Sequence, residues 1–379
     1  MAAFRVTFVR CKMGVYNEPD NYYYGDNDDG VVPMTLGVQI PSAIGLALLI
    51  VISITGNALT VVAYLRDKHL NTVYDFYIFN LGVADLLLSC ISLPFYTVYT
   101  LMEFTWPFGY TFCKIYLLID FTLCFETIVL MLIISFDRLL MITLGPSYLT
   151  KVTLKAAIIQ IAISWVLSFL VYGPAIIGWN HWVGYSIVEE MDCDAEFAYD
   201  RTFTTITAFV EFILPFVCLT VLNFLIFFKI RQRMKVFPSK TATFKTSVSV
   251  AVNDETRTDE ALNEQMRKVD DKADSNHFNR QRKAARFLAM LVAAFLIFWA
   301  PYTITTVIIS FCEKCVNISL YEFFNFVLWM KSAVNPFLYA YNSPRYRRHF
   351  WKFLSCNGKI PLFGLSKTVG GAQTTVTSA

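Results

Sequence analysis

Charge is scarce in this chain. Of 379 residues only 16% are Asp, Glu, Lys or Arg, against 56% hydrophobic, and the mean hydropathy is +0.49. A water-soluble domain carries roughly 25% charged residues, so the composition argues against one. The two signs nearly cancel, at a net +3, which leaves no field to hold nucleic acid. Histidine is rare too: His69, His181, His277 and His349 all lie in polar stretches, so no buried histidine triad holds a metal. There is no nucleophile–base pair or metal cluster to support an enzyme, and no cofactor is implied. No internal repeat is visible, against a transporter built from inverted halves. No cleavable signal peptide is expected, because Met1–Asn27 lacks a long apolar run.

Aromatic residues are plentiful, with 34 Phe and 20 Tyr, and the apolar residues come in blocks. A helix needs about 20 apolar residues to cross a bilayer. Seven stretches qualify: roughly Val38–Leu65, Tyr74–Met102, Cys113–Ile142, Leu154–Trp179, Phe203–Ile230, Ala285–Phe311 and Leu320–Tyr341. Each must be a helix, since an open sheet leaves backbone groups unsatisfied in lipid. The expected fold is an all-α membrane protein, a seven-transmembrane-helix bundle.

Lys and Arg concentrate on one side: Arg66 and Lys68, Lys151 and Lys155, both ends of the fifth connection, and Arg345, Arg347, Arg348 and Lys352. The opposite side carries Asp192, Asp194, Glu196 and Asp200, with Glu18, Asp20 and Asp26 before the first span. The N-terminus is therefore expected outside and the C-terminus in the cytosol. Residues 1–37 form an outer segment, 38–343 the helical domain and 344–379 a cytosolic tail. The connection at about 231–284 is polar, and its middle is expected to be disordered. Residues 345–356 place Tyr346, Phe350, Phe353 and Leu354 at helical spacing opposite arginines, as an interfacial helix does. Cys356 at its end is either a palmitoylation site or a free thiol.

Charges inside spans are costly and mark function. They are Asp85, Asp120, Glu126, Glu211 and Lys331. Asp120 and Arg138 are eighteen residues apart, five helical turns or about 27 Å. One helix thus carries an outer and an inner charge on the same side, which suits signal transmission.

Ordered motifs then carry a resemblance. Asp137-Arg138-Leu139 ends span three, Phe298-Trp299-Ala300-Pro301 lies in span six, and Asn335-Pro336-Phe337-Leu338-Tyr339 in span seven. With Gly56-Asn57, Leu81–Asp85, Trp106–Gly109, Trp165 and Pro215, they resemble the rhodopsin-like (class A) G-protein-coupled receptors over about residues 38–356. The resemblance implies a multi-pass receptor of the cell membrane without enzyme activity, coupled to a heterotrimeric G protein, with arrestin, receptor kinases and membrane lipid as partners. It implies an activation switch at Asp137, Arg138, Asn223, Asn335, Pro336 and Tyr339, with Phe295, Trp299 and Pro301 as the hinge region. Gln281 stands where many relatives place an acid facing Arg138, so an inner ionic lock is not expected.

Asp120 occupies the place where aminergic receptors hold a ligand ammonium, and a shielded carboxylate suits that task. Phe121, Trp299, Tyr302 and Trp329 resemble the aromatic cage around it. Glu211, with Thr207 one turn before it, resembles the third and fourth histamine receptor subtypes, as do Asp120–Cys124, Tyr172–Ile176 and Asn223. Cys124, Thr303 and Thr306 complete the implied ligand site. Histamine offers an ammonium and an imidazole, one for each carboxylate, and the resemblance implies the inhibitory G-protein class. A muscarinic-like or other amine receptor is the alternative. An opsin is disfavoured because its span-seven lysine falls where this chain has Trp329. An ion-coupled transporter leaves the motif set unexplained.

The family disulfide corresponds to Cys113 and Cys193, in an oxidising exterior. Cys312 and Cys315 fit a small loop disulfide better than a zinc site. Asn317-Ile318-Ser319 is a glycosylation sequon. Asn57, Asp85, Thr127, Ser332 and Asn335 resemble the family's polar sodium pocket, where Lys331 replaces the usual Asn. Its ammonium either pairs with Asp85 in place of the ion or snorkels elsewhere.

Overall fold

The computed structural model describes residues 36–236, 256–312 and 315–355, apart from Ile187, Glu189 and Glu190. Among these residues the chain is helical, with no strand. Eight helices organise it: α1 Leu36–Arg66, α2 Val73–Leu101, α3 Tyr110–Leu144 and α4 Leu154–Val183. Then come α5, which opens at Arg201 and closes at Val236, α6 Thr256–Phe311, α7 Ile318–Asn342 and α8 Pro344–Leu354.

Local chemistry fixes several starts. Thr72 and Asp75 form a capping box for α2, each side chain bonded to the other's backbone N–H. The Asp200 carboxylate accepts from the Phe203 N–H at 2.7 Å to open α5. Gly184, at φ 88°, ends α4 in the left-handed region that a β-carbon disfavours.

Among the described residues six helices, α1 to α6, are long and apolar enough to cross a membrane. Helix α7 has the length but not the hydropathy. Asn325, Lys331, Ser332 and Asn335 depress it, and all four are buried against the other helices. The pattern inverts that of a soluble protein. Asn57, Asp85, Asp120 and Glu126 are fully buried, while Ile159, Leu170, Phe224 and Ile297 are more than half exposed on the outside. Lipid as solvent accounts for both. Helix α3 lies at the centre, 72% of its apolar window buried against 22% for α4 and for α5. Helices α1 and α7 meet closely: a β-carbon on Gly56 would come within 2.8 Å of the Pro336 ring.

The structure departs from the sequence reading in the fifth connection. Helix α5 continues to Val236 and α6 begins at Thr256, so residues 256–284 are helical rather than disordered. Sixteen of its 29 residues are Ala, Leu, Met, Glu, Gln, Arg or Lys, and it holds Glu264 four residues before Lys268. An adjoining span that is already helical lets such good helix formers propagate without a new nucleus. Residues 237–255 and the segment 1–35 lie outside the described residues.

Candidate functional site

Two prolines shape the walls of the helical bundle. A proline has no N–H to give the carbonyl four residues back, and its ring crowds that carbonyl. Pro215 therefore disturbs the turn that holds Glu211, and Pro94 the turn that holds Cys90. At both places the helix widens to π geometry, over Phe209–Ile213 and Leu88–Ser92. There the Leu214 N–H bonds the Phe209 carbonyl and the Leu93 N–H that of Leu88, five residues back. Such bulges turn a side chain away from the face that regular helix would give it.

A narrow cavity opens between α3, α5 and α6, under the connection from α4 to α5. Asp120, Phe121 and Cys124 line it from α3, Thr207 and Glu211 from α5, and Trp299, Tyr302, Thr303 and Thr306 from α6. These are nine of the ten residues expected at the ligand site. The tenth, Trp329, does not line it. It is two residues from Lys331 on α7, a turn of about 200°, and its ring packs 5.5 Å from Tyr96 of α2.

Four lining residues were not expected. Thr204 and Ala208 share one stripe of α5 with Thr207 and Glu211, at the offsets of a single helix face. That spacing was available in the sequence. Tyr172 comes from α4, and Phe197 from the short 3-10 turn Glu196–Tyr199. The Cys113–Cys193 disulfide, with Cα atoms 5.5 Å apart, ties this turn to the start of α3. Phe197 then packs on Phe121 at 5.5 Å and on Tyr172 at 5.9 Å. Nothing in the local sequence of Phe197 announces that position.

Asp120 is fully buried, and neither carboxylate oxygen has a hydrogen-bond partner among the described residues. A buried carboxylate without a partner is costly. Glu126, one and a half turns further along α3, is the contrast. Both of its oxygens are satisfied, by Ser164 at 2.7 Å and Ser168 at 2.8 Å, both on α4. Of Asp120 and Glu126, the one that faces the cavity is left unpaired among the described residues.

Deeper in the bundle Asn57, Asp85, Ser332 and Asn335 come together. Asp85 accepts from Ser332 at 2.9 Å and Asn335 at 2.7 Å, and the Asn57 amide donates to the Ser332 carbonyl at 3.0 Å. Lys331 does neither of the things anticipated. It is buried but makes no ion pair with Asp85 among the described residues. Its ammonium donates to Thr127 Oγ1 and lies over the Trp299 ring. These residues do not fit a sodium ion. The Thr127 hydroxyl, which donates to the Cys124 carbonyl at 2.8 Å, already takes the ammonium as its cation.

At the far end of α3, Arg138 rests 3.4 Å from the centre of the Tyr74 ring and 3.3 Å from Asp137, which also accepts from Tyr148. Among the described residues no hydrogen bond joins Arg138 to Asn223 or Tyr339. Asn223 donates to the Leu219 carbonyl of its own helix, and Phe287 separates Tyr339 from Tyr74. Phe295 stacks between Phe212 and Trp299. Pro301 and Pro336 lie inside α6 and α7. Cys312 and Cys315 are disulfide-bonded, and Asn317 is exposed just before α7. The Gln281 side chain and Cys356 lie outside the described residues.

Comparison with known proteins supplies the context. A histamine H4 receptor of Mus musculus is 27% identical, covering 90% of this chain and 98% of its own length. The histamine H4 receptor of Rattus norvegicus is 28% identical, over 88% of this chain and 96% of its own. A muscarinic acetylcholine receptor M2 of Gallus gallus is 25% identical, over 81% and 91%. The profile of the 7 transmembrane receptor (rhodopsin family) matches residues 56–339, well over half of the chain. The chain belongs to that family.

Proposed function

We propose that the protein is a G-protein-coupled receptor for a small cationic biogenic amine, histamine first. The observation that carries the reading is Asp120: a buried carboxylate, unpaired among the described residues, on the wall of a cavity lined by aromatic rings. A ligand ammonium completes that group with a charge-assisted bond and cation–π contacts. Glu211, on a wall contributed by another helix, supports histamine over other amines because it offers an acceptor to a ring N–H. The histamine H4 receptors among the relatives support the same choice, and the muscarinic M2 receptor supports an acetylcholine-like ligand as the second reading.

In this reading the N-terminus and the Cys113–Cys193 disulfide face outside, and α8 lies on the cytosolic side. Ligand entry shifts a two-state bundle toward an open cytosolic face, engaging a G protein of the inhibitory class and then receptor kinases and arrestin. Cys356 carries palmitate and Asn317 glycan. The test is a panel of biogenic amines on cells expressing the receptor, reporting cyclic AMP and calcium. Histamine lowering cyclic AMP is the expected result; a response to acetylcholine alone would favour the second reading.

A further inference from the structure

A second cavity, of about 450 Å³, lies between the turn that follows α1 and helix α8. Arg66, Asp67 and His69 line it from the turn, and Arg345, Arg348, His349 and Lys352 from α8. The four α8 residues fall at i, i+3, i+4 and i+7, one face of the helix. The other side of α8 buries Tyr346 in the bundle, so the basic stripe has to face the turn. Four permanent cations thus meet a single carboxylate.

That carboxylate is already engaged. Asp67 lies 3.0 Å from His69 Nδ1 and 3.0 Å from His349 Nε2, and it accepts the His69 backbone N–H at 2.9 Å. It braces the two walls rather than neutralising Arg345 and Arg348. Arg345 gives one N–H to the His69 carbonyl and Arg348 one to the Pro344 carbonyl. A guanidinium has five N–H donors, so each keeps most of its fork. Among the described residues no carboxylate pairs with Arg345, Arg348 or Lys352.

The depth of the cavity narrows the ligand. Arg66 is the last residue of α1. On α8, Trp351 is 67% and Phe353 47% exposed, which suits a helix lying in the headgroup layer. The space exceeds what one phosphate needs and is within the range of small-molecule sites. We propose that this cavity binds the headgroup of a lipid carrying phosphomonoesters on an inositol ring, with Arg345, Arg348 and Lys352 as the phosphate ligands. Arginine forks match phosphate oxygens in pairs. Basic pockets beside spans favour such headgroups over singly charged lipids. The assignment to the inner leaflet rests on the orientation proposed above.

The test uses the full chain in nanodiscs, where both leaflets carry the lipid, so the outcome does not depend on orientation or on the amine ligand. Binding of a fluorescent phosphatidylinositol bisphosphate is measured in a phosphatidylcholine background. Phosphatidylserine at matched charge and soluble inositol trisphosphate serve as competitors, and thermal unfolding verifies folding. R345Q/R348Q should weaken binding by at least about tenfold, as loss of charged hydrogen bonds implies. R345K/R348K keeps the charge but not the fork and should still lose several-fold. Unchanged binding in either variant, or displacement by phosphatidylserine as effective as by unlabelled lipid, overturns the proposal. So does soluble inositol trisphosphate binding as tightly as the lipid, which would make the ligand a soluble phosphate.

Discussion

The ammonium of Lys331 lies 4.7 Å from the centre of the Trp299 ring while it donates to Thr127. Three helices meet at this one side chain: α7 supplies it, α6 the ring and α3 the hydroxyl. Trp299 also lines the candidate ligand cavity and stacks on Phe295 at 5.9 Å. The lysine therefore restrains the α6 residue that a ligand touches. A shielded cation–π contact contributes about 0.5–2 kcal/mol. Replacing Lys331 with Asn should shift the resting equilibrium toward the active state by about 2- to 30-fold. It should also leave Thr127 open to sodium. Basal G-protein signalling and the sodium sensitivity of agonist binding should both rise, measured against potassium at equal ionic strength. A variant unchanged in both would show that the contact does not restrain Trp299.

Asp120→Asn should reach the cell surface and lose amine binding. Removing one member of a buried charge pair costs about 2–5 kcal/mol, or about 30- to 5,000-fold in affinity. Surface labelling and competition binding on the same cells read both quantities. Retained affinity for every active amine would refute the ammonium assignment.

Glu211→Gln separates the amines from one another. A hydrogen bond to a charged group contributes about 1.5–3 kcal/mol, so histamine should weaken roughly 10- to 150-fold. An acetylcholine-like ligand, with no ring N–H, should be spared. Dose–response curves normalised to surface receptor decide it, and equal shifts for both ligands would remove the case for histamine.

Glu126 should behave as a structural group. Glu126→Ala leaves Ser168 without its acceptor, while Ser164 turns to the Ile161 carbonyl. Unsatisfied buried groups cost about 1–3 kcal/mol. The purified receptor should unfold at a lower temperature, with amine affinity unchanged. Replacing both serines with Ala in that background should recover part of the loss, because nothing polar is then left unpaired.

Asp67 gives a pH prediction. Burial pushes its carboxyl up, but the bonds from the His69 backbone, His349 and the His69 ring outweigh this and hold it at about 2. A carboxyl depressed in the folded state stabilises the fold above its unfolded pKa and stops doing so as pH falls through the folded value. The contribution should vanish as pH falls between about pH 4 and pH 2. Unfolding temperatures of the wild type and Asp67→Asn, measured from about pH 5 downward, should converge toward about pH 2.

Much of the molecule follows from the sequence alone. Apolar runs long enough for a bilayer placed the helices, since lipid allows a lone span no other backbone. The amphipathic period placed α8, and the ordered motifs indicated the family. The same motifs named Asp120 and Glu211, because a charge in a span is too costly to be incidental. Other features belong to tertiary structure. Which neighbour Lys331 meets depends on the rotation and depth of three helices, and it found Thr127 and Trp299 rather than Asp85. Trp329 was assigned to the cage by resemblance, yet the turn of α7 gives its ring to Tyr96. Phe197 reaches the cavity only because a disulfide eighty residues long in sequence returns its loop to α3. Sequence spacing fixes which residues share a face of one helix. Which faces oppose one another is set by packing among all of them, and no single segment encodes that.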